Sequence, residues 1–468
     1  MKKSNLLLAV ICITTFNLQF LTCSCSAQYA RIHDFNGIDG SWPRGSLISD
    51  GIFLYGMTPY GGTNDMGLIF KIKSDGTEYN SLFSFDSING SDPLGSLVSD
   101  GNFLYGMTRF GGTNNMGLIF KIKTDGTSYS KLYDFTGING RLPYGSLIYD
   151  GNFLYGMTQS GGMWGNGVVF KIKPDGTGDT VLLNLGFIGG YPQGSLVLAG
   201  GFLYGMTSDG GTGHVGTIIK LKPDGSEDTT VLNFAGANGA EPFGDLISDG
   251  TFLYGMTAQG GSNNFGTIFK IMPDGTGYSR LFDFDPSGGN GVNGKTPKGS
   301  LVSDGSFLYG ATTAGGAYGG GVLFKIKPDG TMFTKLIDFG NTGDGGSVSG
   351  SLIYDGNFLY GMTYFGGAMG DYGTIFKYAL TTGITENNQE TNFIISPNPF
   401  SSQTTITFNE EQKNISIKIM DVLGRQIKSI DFKGRTLILE KGEMKPGIYF
   451  LQISDEIKHV VNRKIVVE

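Results

Sequence analysis

Three histidines, His33, His214 and His459, are the first side chains to test for metal or acid–base chemistry. Their spacing fits no metal-ligand set, and no Ser-His-Asp arrangement is readable around them, so they read as isolated polar residues. Aspartate is the second option. Asp-Gly recurs at Asp75-Gly76, Asp125-Gly126, Asp175-Gly176, Asp224-Gly225, Asp274-Gly275 and Asp329-Gly330. Calcium loops need several carboxylates at alternating positions and a bidentate acid. Here each segment brings one aspartate, often behind a proline, which is what a hairpin turn requires. The third option is a set of evenly spaced lysines: Lys71, Lys121, Lys171, Lys220, Lys270, Lys325 and Lys377. Facing a common channel they could hold an anion. The favoured expectation is structural, with Asp50, Asp100, Asp150, Asp249, Asp304 and Asp355 as partners, although Ala199 breaks that series. No metal site, catalytic residue or cofactor is expected from these residues.

The elements that carry these residues repeat. Phe53-Leu54-Tyr55-Gly56-Met57-Thr58 recurs around Tyr105, Tyr155, Tyr204, Tyr254, Tyr309 and Tyr360, at separations of 50, 50, 49, 50, 55 and 51 residues. Each of these seven units reads as four short strands. In the second unit these are Ser96 to Val98, Phe103 to Thr108, Leu118 to Lys123 and Tyr129 to Phe135. Asp-Gly turns between β-rich runs are strong hairpin signals, because glycine takes positive φ without strain. No ten-residue stretch has helical spacing of apolar residues. Four strands at a period near fifty residues is the pattern of kelch-like propeller blades.

The seventh unit supplies Phe376-Lys377-Tyr378 and then stops, while Tyr29-Ala30-Arg31-Ile32-His33-Asp34-Phe35 matches Tyr129 to Phe135. An N-terminal strand that completes the last blade closes a ring and hides its edges. The chain is therefore expected to be all-β: a seven-bladed β-propeller over residues 28–380, closed by its N-terminal strand. The repeat motifs, Leu-Tyr-Gly-Met-Thr with Gly-Gly and then Gly-Leu-Ile-Phe-Lys-Ile-Lys-x-Asp-Gly-Thr, resemble bacterial GloVer-type tandem repeats from about Gly45 to Tyr378. That resemblance implies architecture and no particular activity.

Glycine thins out after a polar linker at 381–391, and alternating strands such as Ile415-Ser416-Ile417-Lys418-Ile419 follow. Ser396-Pro397-Asn398-Pro399-Phe400 with Thr404-Thr405-Ile406-Thr407-Phe408 resembles the start of type A sorting domains of the type IX secretion system. Met420-Asp421-Val422-Leu423-Gly424-Arg425, Pro446-Gly447-Ile448-Tyr449-Phe450 and Lys464-Ile465-Val466-Val467 are similar to their later motifs, in the same order. The resemblance implies that residues 392–468 form a small β-sandwich read by the type IX machinery of a Bacteroidota-type bacterium. It also implies that this domain is removed and the cargo released or anchored on the outer cell surface.

The N-terminus agrees with export. Lys2 and Lys3 precede the mostly apolar Leu6 to Phe20, so residues 1–27 read as a signal peptide. All three cysteines (Cys12, Cys23, Cys25) fall within it, with lipidation of Cys23 or Cys25 as the rival reading. No other stretch is apolar and long enough for a transmembrane helix. The 79 glycines in 468 residues fit many tight turns between short strands. Residues 28–391 carry 21 Lys and Arg against 32 Asp and Glu, a net of −11 that excludes a nucleic-acid footprint.

Comparison among the repeats points to one face. The turns joining first to second and third to fourth strands barely change. The second-to-third loops vary: Pro59-Tyr60, Arg109-Phe110, Gln159-Ser160, Ser208-Asp209, Ala258-Gln259, Thr313-Ala314 and Tyr364-Phe365. The insertion Asp285 to Lys298 falls on the same side. Variable loops on a rigid scaffold commonly carry binding. The expected function is binding or adhesion to an extracellular ligand, a glycan among the candidates, through Tyr60, Phe110, Trp164, Tyr318 and Tyr364. The alternative is a polysaccharide lyase or hydrolase, for which Arg44, Arg109, Arg141, Asp209 and Glu241 are scattered without a recognisable signature. The reading leans towards a non-enzyme.

Overall fold

The computed structural model describes residues 28–186, 188–284, 291–341, 343–380, 393–421, 426–454 and 460–468. The expected signal peptide with its cysteines, the expected linker, His459, residues 422–425 and positions 285–290 of the insertion lie outside the described residues. The chain divides into two compact units, Ala27–Thr381 and a second that holds Thr382–Glu468.

The first unit is built from seven four-stranded antiparallel sheets. Blade 1 consists of Ile48–Ser49, Phe53–Thr58, Leu68–Lys73 and Asn80–Ser84. Five more blades repeat this order over residues 98–134, 148–184, 197–233, 247–283 and 302–338. The seventh joins Ile353–Tyr354, Phe358–Thr363 and Thr374–Ala379 to the N-terminal strand Tyr29–Asp34. Tyr29 pairs with Tyr378 and Asp34 with Thr374. The register shift between Arg31 and His33 recurs between third and fourth strands in every other blade, as at Ile69/Phe70 in blade 1. The first strand of the chain is therefore the fourth strand of the last blade, as its sequence predicts.

The core lies between blades. Tyr55, Met57 and Ile69 of blade 1 pack with Leu97, Leu104, Leu118 and Phe120 of blade 2. The same arrangement joins Tyr360, Met362 and Ile375 of blade 7 to Leu47, Leu54, Leu68 and Phe70 of blade 1, which closes the ring. Aromatic side chains also cross the boundary: Tyr129 of blade 2 stacks on Phe83 of blade 1 at 3.8 Å. Innermost strands are shorter than the sequence suggests. In blade 2 the strand is Val98–Ser99, because Gly95 and Ser96 leave the ladder to make contacts around the central axis.

The second unit is a five-stranded sheet made of Phe393–Ser396, Gln403–Asp421, Gln426–Glu440, Gly447–Ser454 and Val460–Val467. The two long strands break register between Thr407 and Ile415, and both halves share one core that includes Ile406, Phe408, Ile417, Ile419, Leu439, Leu451 and Ile465. Phe400 bridges to Val467 and ties the beginning of the unit to its end. No helix among the described residues is long and apolar enough to cross a membrane.

Candidate functional site

Each blade enters the central axis through a Gly-Ser step that follows a variable residue. The glycines leave no room for side chains. A Cβ on Gly45 would sit 2.2 Å from the Gly95 carbonyl oxygen, and so on around the ring to Gly350, whose Cβ would sit 2.1 Å from the Gly45 oxygen. The serines close a matching ring of hydrogen bonds. The Ser46 amide donates to Ser96 Oγ at 2.7 Å, the Ser96 amide to Ser146 Oγ, and finally the Ser351 amide to Ser46 Oγ at 2.7 Å. These hydroxyls satisfy backbone donors that the short inner strands leave without a ladder partner. Blade 5 departs from the rule. Asp245 replaces the serine, its carboxylate accepts the Ser195 amide, and burial pushes its pKa up.

Above this ring opens a cavity of about 80 Å³, lined by the residues that precede each glycine: Arg44, Leu94, Tyr144, Gln193, Phe243, Lys298 and Ser349. Two positions further back, every blade carries a non-glycine residue at positive φ: Trp42 (53°), Asp92 (55°), Leu142 (54°), Tyr191 (53°), Glu241 (50°), Thr296 (56°) and Ser347 (57°). This left-handed conformation is strained for a side-chain-bearing residue and persists only where its surroundings hold it. Here the Trp42 amide donates to Tyr372 O of the preceding blade at 2.8 Å, and the Asp92 amide to Met66 O at 3.1 Å. The Asp92 carbonyl in turn accepts from the Arg109 amide of its own blade. Invariant backbone thus presents seven different side chains around the axial mouth, on the face that bears the second-to-third loops.

At the junction of blades 7 and 1 these side chains converge. The Trp42 ring lies 5.3 Å from Tyr60, 6.3 Å from Tyr364 and 6.4 Å from Tyr372, and its Nε1 donates to Asp371 O. Arg44 sits over the Tyr364 ring at 4.9 Å and donates to the hydroxyls of Tyr144 (3.1 Å) and Tyr364 (3.4 Å). Burial opposes its charge, but these two tyrosines outweigh it and raise its pKa. Lys298 lies over Phe243 at 5.5 Å. Desolvation and the Arg44 charge lower its pKa, against an opposing pull from Glu241.

Of the aromatic residues expected to bind ligand, Tyr60 and Tyr364 belong to this cluster. Phe110 lies under Arg109 at 4.9 Å on blade 2, beside an Arg109–Asp92 pair at 3.4 Å. Trp164 and Tyr318 are 59% and 57% exposed on the loops of blades 3 and 6. The Trp164 indole covers Gly186, where an added Cβ would lie 2.9 Å from its Cδ1. Trp42, Tyr144, Lys298 and Asp245 escape a motif search. Their signal is a column repeated seven times, x-Pro-x-Gly-Ser, in which the two x positions vary, Val348 replaces the proline in blade 7 and Asp245 replaces the serine in blade 5.

The lysine ring corrects an expectation. None of the ion pairs among the described residues joins a third-strand lysine to a first-turn aspartate. Asp50 instead accepts the Tyr55 hydroxyl at 2.8 Å and the Ile52 and Phe53 amides, and this repeats in five other blades. The tyrosine five residues downstream reaches the carboxylate first. Lys71 lies on the Phe53 ring at 4.8 Å and points to Thr124 O of the next blade, with equivalent phenylalanine contacts for the other six. Asp75 and its equivalents are turn residues, accepting the amide and hydroxyl of Thr77 at 2.8 and 2.6 Å. No cluster of three metal-ligating side chains occurs among the described residues.

A model described as the Gloeobacter/Verrucomicrobia repeat matches residues 20–166, 143–305 and 289–404. The chain belongs to this repeat family. A secretion system C-terminal sorting domain matches residues 395–468. This Gloeobacter/Verrucomicrobia repeat protein is therefore handled by the type IX secretion machinery and exported to the cell surface or beyond. Over 75 residues it is 33% identical to an endo-acting ulvan lyase of Formosa agariphila, a match that spans 16% of this chain and 14% of that enzyme. Among solved structures, an oligogalacturonate lyase in complex with manganese aligns with TM-score 0.51 and 11% identity, covering 76% of this chain and 94% of that one. The extracellular domain of a one-component system protein from B. thetaiotaomicron aligns with TM-score 0.51 and 12% identity, covering 94% and 59%. At these identities the structures share a fold and nothing further follows.

Proposed function

We propose that the exported propeller is a binding module, and that its ligand docks at the axial mouth on the loop-bearing face. One observation carries this reading: Arg44 lines the central cavity and lies over the Tyr364 ring, with the Trp42 ring 6.3 Å from Tyr364 and 5.3 Å from Tyr60. Flat aromatic faces next to a hydrogen-bonding cation suit a sugar, whose axial C–H groups pack on rings while its hydroxyls pair with polar neighbours. Phe110, Trp164 and Tyr318 supply further apolar contacts on the same face for a longer ligand. A lyase or hydrolase activity is the second reading, and the Arg44–Tyr144 contact is what favours it. A tyrosine hydroxyl beside a guanidinium can exchange a proton with a bound substrate.

A glycan array probed with the full chain, run beside reducing-sugar and unsaturated-product assays, tests both. Binding without turnover, lost on Trp42→Ala, is expected. Turnover lost on Tyr144→Phe would support the second reading. An array hit whose affinity is indifferent to Trp42, Tyr60 and Tyr364 would remove the site assignment.

A further inference from the structure

Two cations share the axial mouth. Among the seven residues that precede the ring glycines, Arg44 of blade 1 and Lys298 of blade 6 are the charged ones, separated around the ring by Ser349 of blade 7; the cavity lining also includes Asp245 of blade 5, whose carboxylate accepts the Ser195 amide. Neither joins an ion pair among the described residues. Arg44 meets two neutral hydroxyls, which leaves most of its five N–H donors for another acceptor. Glu241 is the acidic group whose charge acts on Lys298, and its Oε2 is already engaged by Gln259 Nε2 at 2.7 Å. Asp92 feels the Arg44 charge but pairs with Arg109.

This concentration runs against the molecule as a whole, since residues 28–391 carry a net charge of −11. The cost of placing two like charges at one half-buried cavity falls on Lys298, where desolvation and the Arg44 charge act together, while Arg44 is held by its two tyrosines. The strain is relieved when an anion bridges them, and arginine with lysine is the usual pair for gripping an oxyanion. The aromatic wall sits on the Arg44 side, where Trp42 and Tyr364 stand 6.3 Å apart.

We infer that the axial mouth recognises an acidic glycan, holding a sugar carboxylate or sulfate between Arg44 and Lys298 while the ring of that sugar lies against the Trp42 wall. This rests on the binding reading above and narrows its ligand class. The recognition is charge-assisted at one point and apolar beside it, so it selects one charged sugar in its chain context rather than polyanions in general.

The test uses the full chain and three probes: a glucuronate-containing tetrasaccharide, its carboxyl-reduced neutral counterpart, and inorganic sulfate against chloride at matched ionic strength. The acidic tetrasaccharide is expected to bind at least tenfold more tightly than the neutral one. Lys298→Gln should remove most of that preference. Sulfate should raise the wild-type Tm and not that of Lys298→Gln. Arg44→Gln also unties contacts to blades 3 and 7, so Lys298→Gln is the decisive variant and Arg44→Lys accompanies it. A sulfate response without tetrasaccharide binding supports the anion site and assigns it to sulfated sugars. Equal affinity for acidic and neutral probes, or full acidic-ligand affinity in Lys298→Gln, overturns the inference while the binding reading stands. Absence of both tetrasaccharide binding and a sulfate response overturns it as well. Loss of every array hit would instead remove the binding reading.

Discussion

At the residue scale the axial ring is governed by what cannot fit. Gly194 faces the Gly244 carbonyl oxygen so closely that an added Cβ would lie 2.2 Å away, whereas Gly51 at φ +91° has nothing within 4 Å. Gly194→Ala should therefore cost on the order of 3 kcal/mol, because backbone must move. Gly51→Ala should cost about 1 kcal/mol from conformational strain alone. Chemical denaturation of the two variants measures the difference, and equal losses would contradict a close-packed axis. Asp245 gives a pH-dependent counterpart. Its folded pKa lies above its unfolded value, so the folded state binds the extra proton and stability falls as pH rises through that window. Asp245→Ser restores the serine of the other six blades. It should be more stable than wild type at pH 7, by roughly 1–2 kcal/mol, with the gap closing as the medium is acidified towards the ordinary carboxylate range. A gap that widens on acidification would mean that the carboxylate, and not its protonated form, is the one the ring prefers.

At the element scale the repeat made the strands readable, since each blade restates the same turn and the same buried alternation. Phe103–Thr108 and Leu118–Lys123 fall where the sequence places them. The N-terminal strand was legible because Tyr29 to Phe35 matches the fourth strand Tyr129 to Phe135, with Tyr, Asp and Phe at the same positions. The lysine pairing was not. Sequence spacing shows which residues recur but not which partner arrives first, and Tyr55 reaches Asp50 while Lys71 settles on Phe53. The candidate site was half legible: Tyr60 and Tyr364 stand out as loop aromatics, whereas Trp42 meets Tyr364, and Lys298 shares a cavity with Arg44, only when blades 6, 7 and 1 meet around the axis. Closure predicts that Phe35, 0% exposed and 5.5 Å from Phe70, anchors the end of the last blade. Phe35→Ala should cost about 3–5 kcal/mol, and hydrogen exchange should rise first in Tyr29–Asp34 and Thr374–Ala379. Uniform exchange around all blades would argue that the closing strand is no weaker than the rest.

For the whole molecule, division of labour follows from the two units. The C-terminal sorting domain specifies export, and its small sheet has a self-contained core. The propeller supplies a rigid ring whose stability comes from contacts between neighbouring blades, so the loop-bearing face can vary without disturbing the fold. That separation explains why family membership gives architecture and route but no ligand, and why the axial mouth has to be read from its own side chains. Ligand is expected to dock on the Trp42 side of that mouth. The most direct test is a titration of the strongest glycan-array ligand against wild type, Trp42→Ala and Trp164→Ala, each checked for unchanged Tm. At least a tenfold loss of affinity is expected for Trp42→Ala and a change of less than about threefold for the outlying Trp164→Ala. Wild-type affinity in Trp42→Ala, with loss confined to Trp164→Ala, would contradict that placement and move the site to the outer loops.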